Sequence, residues 1–154
     1  MNSQLTIRPA RPSDQPALVR IVWDTVLVDA ERNAEIIANP DAVEVPVDQL
    51  EPETGCVAEV DGAVVGFATV VPRADGAAEL DGLFVTPHLQ RAGIGRALVA
   101  AVRQLALRQG ARRLHVTAGP DAVAFYRAVG FIEVGVTQTR FGPAPLMELD
   151  LAAS

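Results

Sequence analysis

A glycine-rich turn between an apolar strand and an amphipathic helix is the feature that most restricts how this chain can fold. The predicted strand over residues 77–85 ends at Thr86-Pro87, and the predicted helix runs from about residue 93 to residue 109. Glycines at such a junction let backbone N–H groups approach an anion, and the helix N-terminus adds the positive end of its dipole. The junction therefore predicts a domain that combines strands and helices, with a turn that is either structural or phosphate-binding.

Periodicity elsewhere predicts an α+β fold without internal repeats. A first strand at residues 5–8 precedes a helix with Ser13 as its N-cap and Pro16 in its first turn. Asp61-Gly62 joins two apolar runs, residues 55–60 and 63–71, and predicts an antiparallel hairpin. Residues 30–52 are irregular, with a short helix predicted at 31–38. The remaining elements are strands at 112–117, 131–137 and 146–151, and a helix at 120–129 that ends at Gly130.

Composition narrows the class of protein. The chain has 154 residues, 49% of them apolar, and we expect one globular domain over residues 1–154. One cysteine and two histidines exclude an internal disulfide and predict no metal site. A net charge of -6 argues against a nucleic-acid partner. No signal-peptide pattern and no span of bilayer length are present, so we expect a cytoplasmic protein with no membrane partner.

Charge is distributed unevenly along the chain. Residues 24–59 contain ten acidic residues and one arginine, Arg32, whereas residues 86–120 contain six arginines and no acidic residue. One interpretation is that the first segment binds cations and the second binds anions. The alternative is that both are solvated surfaces.

Three motifs together resemble the GNAT superfamily of N-acetyltransferases. The central one is Leu83-Phe84-Val85-Thr86-Pro87, followed by Gln90-Arg91-Ala92-Gly93-Ile94-Gly95. Ala124-Phe125-Tyr126-Arg127-Ala128-Val129-Gly130-Phe131 resembles the end of a family helix, and Ile7-Arg8-Pro9-Ala10 with Asp14 resembles the family's opening. The resemblance implies a mixed, mostly antiparallel seven-stranded sheet with helices on both faces, splayed between two parallel strands.

The resemblance also implies acetyl-CoA, or another short acyl-CoA, as co-substrate, with no metal. Backbone groups of Leu83 and Val85 would hold the pantetheine, and backbone N–H groups between Arg91 and Arg96 the pyrophosphate. The family often has an asparagine where this chain has Gly119. The residues assigned to the cofactor are Leu83, Phe84, Val85, Gln90, Arg91, Ala92, Gly93, Ile94, Gly95 and Arg96.

Two residues take catalytic roles in the family. Tyr126 falls at the position of the acid that protonates the CoA sulfur, and its alternative role is a core aromatic. Glu79, fourteen residues before Gly93, falls at the position of the base that removes the ammonium proton, often through water. Asp81 is predicted on the same face of the strand, so either carboxylate could serve as base. The alternative for Glu79 is a structural or substrate-binding role, in which the two carboxylates together bind a cationic substrate.

The acceptor is predicted to be an amine of a small molecule or peptide. The excess of acidic residues between residues 24 and 59 favours an acceptor that is a cation. Trp23 lies where the family's acceptor pocket forms, with core packing as the alternative. Arg140 could instead bind an acceptor carboxylate. Dimers are frequent in the family, so the resemblance implies a homodimer as the state to test.

Two other functions compete with the transferase. One is an acyl-CoA-binding module of the same fold without catalysis, and the other is an unrelated nucleotide-binding domain. A thiol hydrolase built on Cys56 with His88 or His115 is disfavoured, because Cys56 lies in a strand without a helix start to activate it.

Overall fold

Seven strands form one mixed sheet, as predicted. The structure is a computed structural model and describes residues 4–90, 92–119 and 121–152. The strands lie in the order β1-β2-β3-β4-β5-β7-β6, and every neighbouring pair is antiparallel except β4 with β5. The strands are β1 (Leu5–Pro9), β2 (Gly55–Val60), β3 (Ala63–Pro72), β4 (Ala77–Val85), β5 (Arg113–Thr117), β6 (Ile132–Thr139) and β7 (Gly142–Asp150). The helices are α1 (Gln15–Leu27), α2 (Ala34–Ala38), α3 (Ile94–Arg108) and α4 (Val123–Ala128).

Each face of the sheet buries its own hydrophobic cluster. On one face, α3 and α4 contribute Leu98, Val102 and Tyr126 to a cluster with Leu80 of β4. On the other face, α1 packs Leu18 and other apolar residues against the sheet. The expectation of helices on both faces is therefore confirmed. No described helix has the length and apolarity needed to cross a bilayer.

The chain enters α1 through a charged contact instead of the predicted serine cap. A short 3-10 turn, Pro12–Asp14, precedes the helix, and Ser13 makes no capping hydrogen bond. Asp14 instead accepts two hydrogen bonds from the Arg8 guanidinium, at 2.8 and 3.0 Å, and one from the Arg11 N–H. These contacts lower the pKa of Asp14, chiefly through Arg8. The opening motif thus has a structural use here.

The hairpin predicted at Asp61-Gly62 is confirmed. Both residues have positive φ, 52° and 85°, as a two-residue turn between β2 and β3 requires. Gly110 and Gly130 also have positive φ, 84° and 109°, directly after α3 and α4.

Residues 28–54 form short turns and one short helix, and exposed ion pairs tie them to distant elements. The helix predicted at 31–38 is present only as α2. Arg32 pairs with Asp121, just before α4, and Asp41 accepts a hydrogen bond from Arg140 at 3.2 Å in the β6–β7 turn. Ion pairs therefore connect this segment to the start of α4 and to the β6–β7 turn.

Strand β7 begins four residues earlier than predicted. The added part of the strand contains Pro143 and Pro145, which cannot donate to a ladder. They pair with β6, and β5 ends opposite Leu146, so this part of β7 has a β5 neighbour only from Leu146 onward. Pro143 lies beyond the end of β5, and Pro145 acts there only as an acceptor, from the Ala118 N–H at 2.9 Å, so neither proline has to donate toward β5.

Candidate active site

The two parallel strands diverge along most of their length. β4 and β5 pair only where Ala77–Glu79 meets Arg113–His115. Beyond Glu79, β4 continues to Val85 beside β3, while β5 continues to Thr117 beside β7. The divergence opens a gap in the sheet, at the place the sequence predicted.

A bulge interrupts β4 at the start of this gap. Val70 of β3 pairs with Leu80 and Thr69 pairs with Gly82, which leaves Asp81 as an extra residue. Asp81 and Gly82 both line a cleft on the α1 face, whereas Leu80 belongs to the α3 face. The bulge was missed in the sequence, although a glycine inside a strand is a signal for one.

Alternation along β4 decides which backbone groups face the gap. The Thr86 N–H donates to the Val65 carbonyl, so Thr86 and, by alternation, Phe84 direct their backbone groups toward β3. Leu83 and Val85 therefore direct theirs into the gap, and the Gln90 amide reaches the Val85 carbonyl at 3.4 Å.

Phe84 differs from its predicted role. Its backbone faces β3, and its ring stacks on Phe67 with centroids 5.5 Å apart, on the α1 side of the sheet. The geometry places it in the cleft and not at the cofactor edge. The alternation of strand residues accounts for the difference, since neighbours on one strand face opposite sides.

The glycine-rich turn ends at the N-terminus of α3. Gly93 is the N-cap residue, with φ 86° in the left-handed region, and Ala97 N–H makes the first helical bond to its carbonyl. The N–H groups of Ile94, Gly95 and Arg96 precede that bond and have no partner within the helix. The first turn of α3 contains no acidic residue. Arg91 lies outside the described residues. Ala92 and Arg96 are exposed, and Arg96 forms no ion pair with a described residue.

Gly95 allows α3 to approach α4 closely. A Cβ at this position would lie 3.2 Å from the Phe125 ring. Packing therefore favours glycine here, since a Cβ would make the Phe125 ring shift by a few tenths of an ångström. The Ile94 side chain is buried in the core, so only its backbone is available to a ligand.

Tyr126 projects from α4 into the core. Its ring packs edge-on against Phe125 and Phe131, each at a centroid distance of 5.3 Å, and the residue is 7% exposed. Burial raises the pKa of Tyr126 to about 12. Its hydroxyl has no hydrogen-bond partner among the described residues, so a neutral phenol with a free O–H is available.

Glu79 lies in a row of ionisable groups across three strands. Register places it beside His115 of β5, which in turn lies opposite Glu148 of β7. The Arg73 guanidinium donates to His115 Nδ1 at 2.8 Å, so Nε2–H of a neutral ring donates to Glu148 at 2.9 Å. Glu79 itself is half-buried and makes no hydrogen bond with a described side chain. The sequence did not suggest this neighbourhood, because register is not readable from one chain.

A cleft of about 230 Å³ opens on the α1 face beside the bulge. Asp81, assigned to the substrate from the sequence, lines it. Trp23, also assigned there, packs against the α1-face cluster, and Val22 is the α1 residue at the cleft wall. The sequence missed the following lining residues: Glu44, Phe67, Thr69 and Gly82.

The remaining reactive groups contribute no second site. Cys56 is buried, and burial raises the pKa of its thiol to about 12, which leaves it protonated and unreactive. Among the described residues, no three His, Cys, Asp or Glu side chains are grouped so as to hold a metal ion.

A sheet that opens between two parallel strands, beside a helix with free N-terminal amides, is the arrangement of acyl-CoA-dependent transferases that the sequence suggested. The sequence model of the Acetyltransferase (GNAT) family matches residues 20–131. The chain therefore belongs to the GNAT acetyltransferase family.

Solved structures share this fold. The ribosomal-protein-S18-alanine N-acetyltransferase from Escherichia coli is 22% identical, with 98% of this chain and 96% of that chain covered and a TM-score of 0.69. The Salmonella typhimurium protein yncA, solved with its cofactor acetyl-CoA, is 22% identical over 97% and 95% of the two chains, with a TM-score of 0.69.

Nourseothricin acetyltransferase matches over a shorter region. It is 25% identical, with a TM-score of 0.57, and the match covers 63% of this chain and 64% of that one. A comparison with curated proteins gave no match.

Proposed function

We propose that this protein is an N-acetyltransferase that moves an acetyl group from acetyl-CoA to a primary amine within a ternary complex. The observation that carries the proposal is the divergence of β4 from β5 beyond Glu79. It leaves backbone groups of Leu83 and Val85 directed into a gap whose far side is β5. An extended amide-bearing arm such as pantetheine can hydrogen-bond to such an edge as a strand would.

The N-terminus of α3 fits a pyrophosphate. Gly93 adopts the left-handed conformation that exposes the following amides, and the helix dipole favours an anion there. The stretch from residue 86 to residue 120 adds six arginines and no carboxylate to repel one. The Arg96 side chain supports binding through charge alone, since it is exposed to solvent.

Proton transfers are assigned to Tyr126 and Glu79. Acetyl-CoA supplies a thioester that a neutral amine can attack. Tyr126 donates its phenolic proton to the departing sulfur, a role supported by a raised pKa that keeps the phenol neutral at physiological pH. Glu79, or Asp81 at the cleft, accepts the ammonium proton directly or through water.

The acceptor is an amine of a cationic small molecule or peptide. The cleft beside the bulge contains two carboxylates, Glu44 and Asp81, and no basic side chain among its lining residues. Arg140, the alternative ligand for an acceptor carboxylate, is instead engaged by Asp41. These charges favour a cation at the acceptor side.

Turnover of acetyl-CoA against a panel of amines with varied ammonium pKa tests the proposal. We expect thioester consumption that depends on the amine, and binding of CoA in calorimetry without comparable binding of ATP or NAD. CoA binding with no turnover on any amine would favour the non-catalytic acyl-CoA module. Gly119, at the position where the family often has an asparagine, leaves that alternative open.

A further inference from the structure

Thr69 carries a buried hydroxyl without a protein partner. The residue is 4% exposed, and Oγ1 makes no hydrogen bond with a described residue. Among the described residues, Gln109 Oε1 is the side-chain polar atom that is both fully enclosed and without a partner. Thr69 Oγ1 is therefore not fully enclosed, and Thr69 lines the cleft. Buried hydroxyls are nearly always hydrogen-bonded, so the partner of this one comes from the cleft, either water or a bound ligand.

The orientation of the Thr69 side chain follows from its two glycine neighbours. A Cβ on Gly82 would lie 3.1 Å from Oγ1, and a Cβ on Gly55 would lie 3.6 Å from the Thr69 methyl group. The hydroxyl therefore points toward the bulge and the methyl group away from it. Gly82 leaves the space in front of the hydroxyl open.

The walls of the cleft suit an apolar arm of small cross-section. The stacked rings of Phe67 and Phe84 lie on the sheet side, within 4 Å of the Cβ that Gly82 lacks. Val22, Val43 and Pro46 line the cleft from α1 and the segment after α2. A volume of about 230 Å³ lies below the usual range of ligand pockets, so one arm of a substrate fits and a multi-ring body does not.

The polar groups of the cleft favour ammonium ions. Asp81 and Glu44 line the cleft without an ion-pair partner among the described residues, and aromatic ring faces attract cations. A threonine oxygen can accept a hydrogen bond from an N–H group while its own proton turns elsewhere. Two carboxylates and one acceptor oxygen match a ligand with two positive charges on an aliphatic chain.

We infer that Thr69 is a specificity-determining residue that binds the acceptor as an aliphatic diamine, with its reacting amine near Asp81 and its second ammonium paired with Glu44. The inference rests on the proposed function and names the substrate class of its acceptor site. A linear diamine or a lysine side chain in a basic peptide has this chemistry, and an amino acid with a free carboxylate does not.

The substrate test compares three linear amines of equal chain length: a diamine, a monoamine and an ω-amino acid. We expect kcat/KM to fall in that order, with at least tenfold between the diamine and the amino acid. Glu44→Gln should reduce the diamine's advantage over the monoamine to about twofold or less. Equal kcat/KM for the three amines, or an unchanged advantage in Glu44→Gln, would overturn the assignment.

The hydroxyl is tested by Thr69→Val, which keeps the shape of the side chain, with Thr69→Ser as the conservative control. We expect Thr69→Val to raise the KM for the diamine about tenfold with little change in kcat or in acetyl-CoA affinity. Thr69→Ser should retain most of the affinity. If Thr69→Ser is impaired as much as Thr69→Val, or neither variant changes KM, the hydroxyl does not bind the acceptor.

Diamine binding measured by calorimetry in the presence of CoA separates this inference from the proposed function. Binding that weakens in Thr69→Val supports the cleft assignment even if the wild-type protein turns over no amine. Turnover of amines without any dependence on Thr69 or Glu44 would leave the transferase standing and remove the diamine inference.

Discussion

The cofactor side and the acceptor side of this site are built from different parts of the chain. The cofactor side uses backbone groups: the edge of β4 at Leu83 and Val85, and the first amides of α3 after Gly93. The acceptor side uses side chains from four separate segments, namely α1, the segment after α2, β3 and β4, that meet in one cleft. Backbone sites depend on glycine and on register, whereas side-chain sites depend on the identity of each residue. Substitutions should therefore affect the two sides in different ways.

The largest effect is expected at the proposed general acid, Tyr126. Tyr126→Phe removes the phenolic proton and should lower kcat by about 10²–10³-fold, in the range of general acid catalysis. Acetyl-CoA affinity should stay nearly unchanged, because the ring packing of the residue is retained. Single-turnover rates and calorimetry measure the two quantities. Unchanged turnover would remove the acid assignment.

The pH profile provides a second measure of the same residue. Burial raises the pKa of Tyr126 to about 12, so the phenol stays protonated well above its ordinary titration range near ~10. We expect no loss of kcat assignable to this group below about pH 11. A fall in kcat near pH 10 that is absent in Tyr126→Phe would contradict the buried environment of the hydroxyl.

Filling the cleft should affect the acceptor alone. Gly82→Ala places a methyl group 3.1 Å from Thr69 Oγ1, between the hydroxyl and the two phenylalanine rings. We expect kcat/KM for the amine to fall about 10–100-fold, as for other one-carbon misfits, while the Kd of acetyl-CoA changes little. Gly135→Ala is the matched control, because a Cβ in that strand meets nothing within 4 Å. Equal effects on both substrates would mean that the cleft is part of the cofactor site.

A backbone site should be sensitive to glycine and insensitive to an exposed side chain. Gly93→Ala can relieve left-handed strain of about 1–2 kcal/mol only by moving the α3 amides, so acetyl-CoA binding should weaken up to about tenfold. Gly62→Ala is the control, since Gly62 has nearly the same φ, 85° against 86°, in a distant hairpin. Arg96→Ala should weaken binding less than Gly93→Ala. The reverse order would show that side-chain charge, and not the turn, holds the cofactor.

The smallest effect is expected at the rim of the acceptor side. Arg140 holds Asp41 through an ion pair exposed to solvent, and such pairs contribute little because water and salt screen them. Arg140→Gln should raise the KM for the amine no more than about fivefold, and 0.5 M salt should remove the difference from wild type. Asp41→Asn should behave alike, with no further loss in the double variant. Additive losses would mean that the two residues act independently.

The sequence predicted most of the fold because its local signals agreed with one another. Asp61-Gly62 identified the hairpin, and Gly110 and Gly130 marked helix ends, since each conformation is nearly restricted to such residues. The start of β7 was predicted too late, because Pro143 is tolerated only where β5 has already ended. Where β5 ends beside β7 is set by tertiary structure and cannot be read from the local sequence.

The candidate site shows the same contrast between residues that a local motif predicts and residues that only tertiary packing brings together. The turn at Gly93 and the positions of Leu83 and Val85 followed from a contiguous motif. Thr69 and Glu44 could not be found, because they lie far apart in the chain and meet Asp81 only through the packing of β3 and the segment after α2. Phe84 was grouped with the cofactor residues by its motif, and motif membership does not say which way a side chain points.

Asp81, the bulge residue, is not needed for the pairing of β4 with β3, but it contributes a carboxylate to the candidate site. Because Thr69 and Val70 already pair with Gly82 and Leu80, deletion of Asp81 would leave a continuous ladder and keep Leu83 and Val85 on their present face. A chain shortened by this one residue should therefore fold at least as well as the original, while losing a carboxylate and a local bend of the strand. Strand β4 is therefore one residue longer than continuous pairing with β3 requires, and the extra residue, Asp81, lines the cleft.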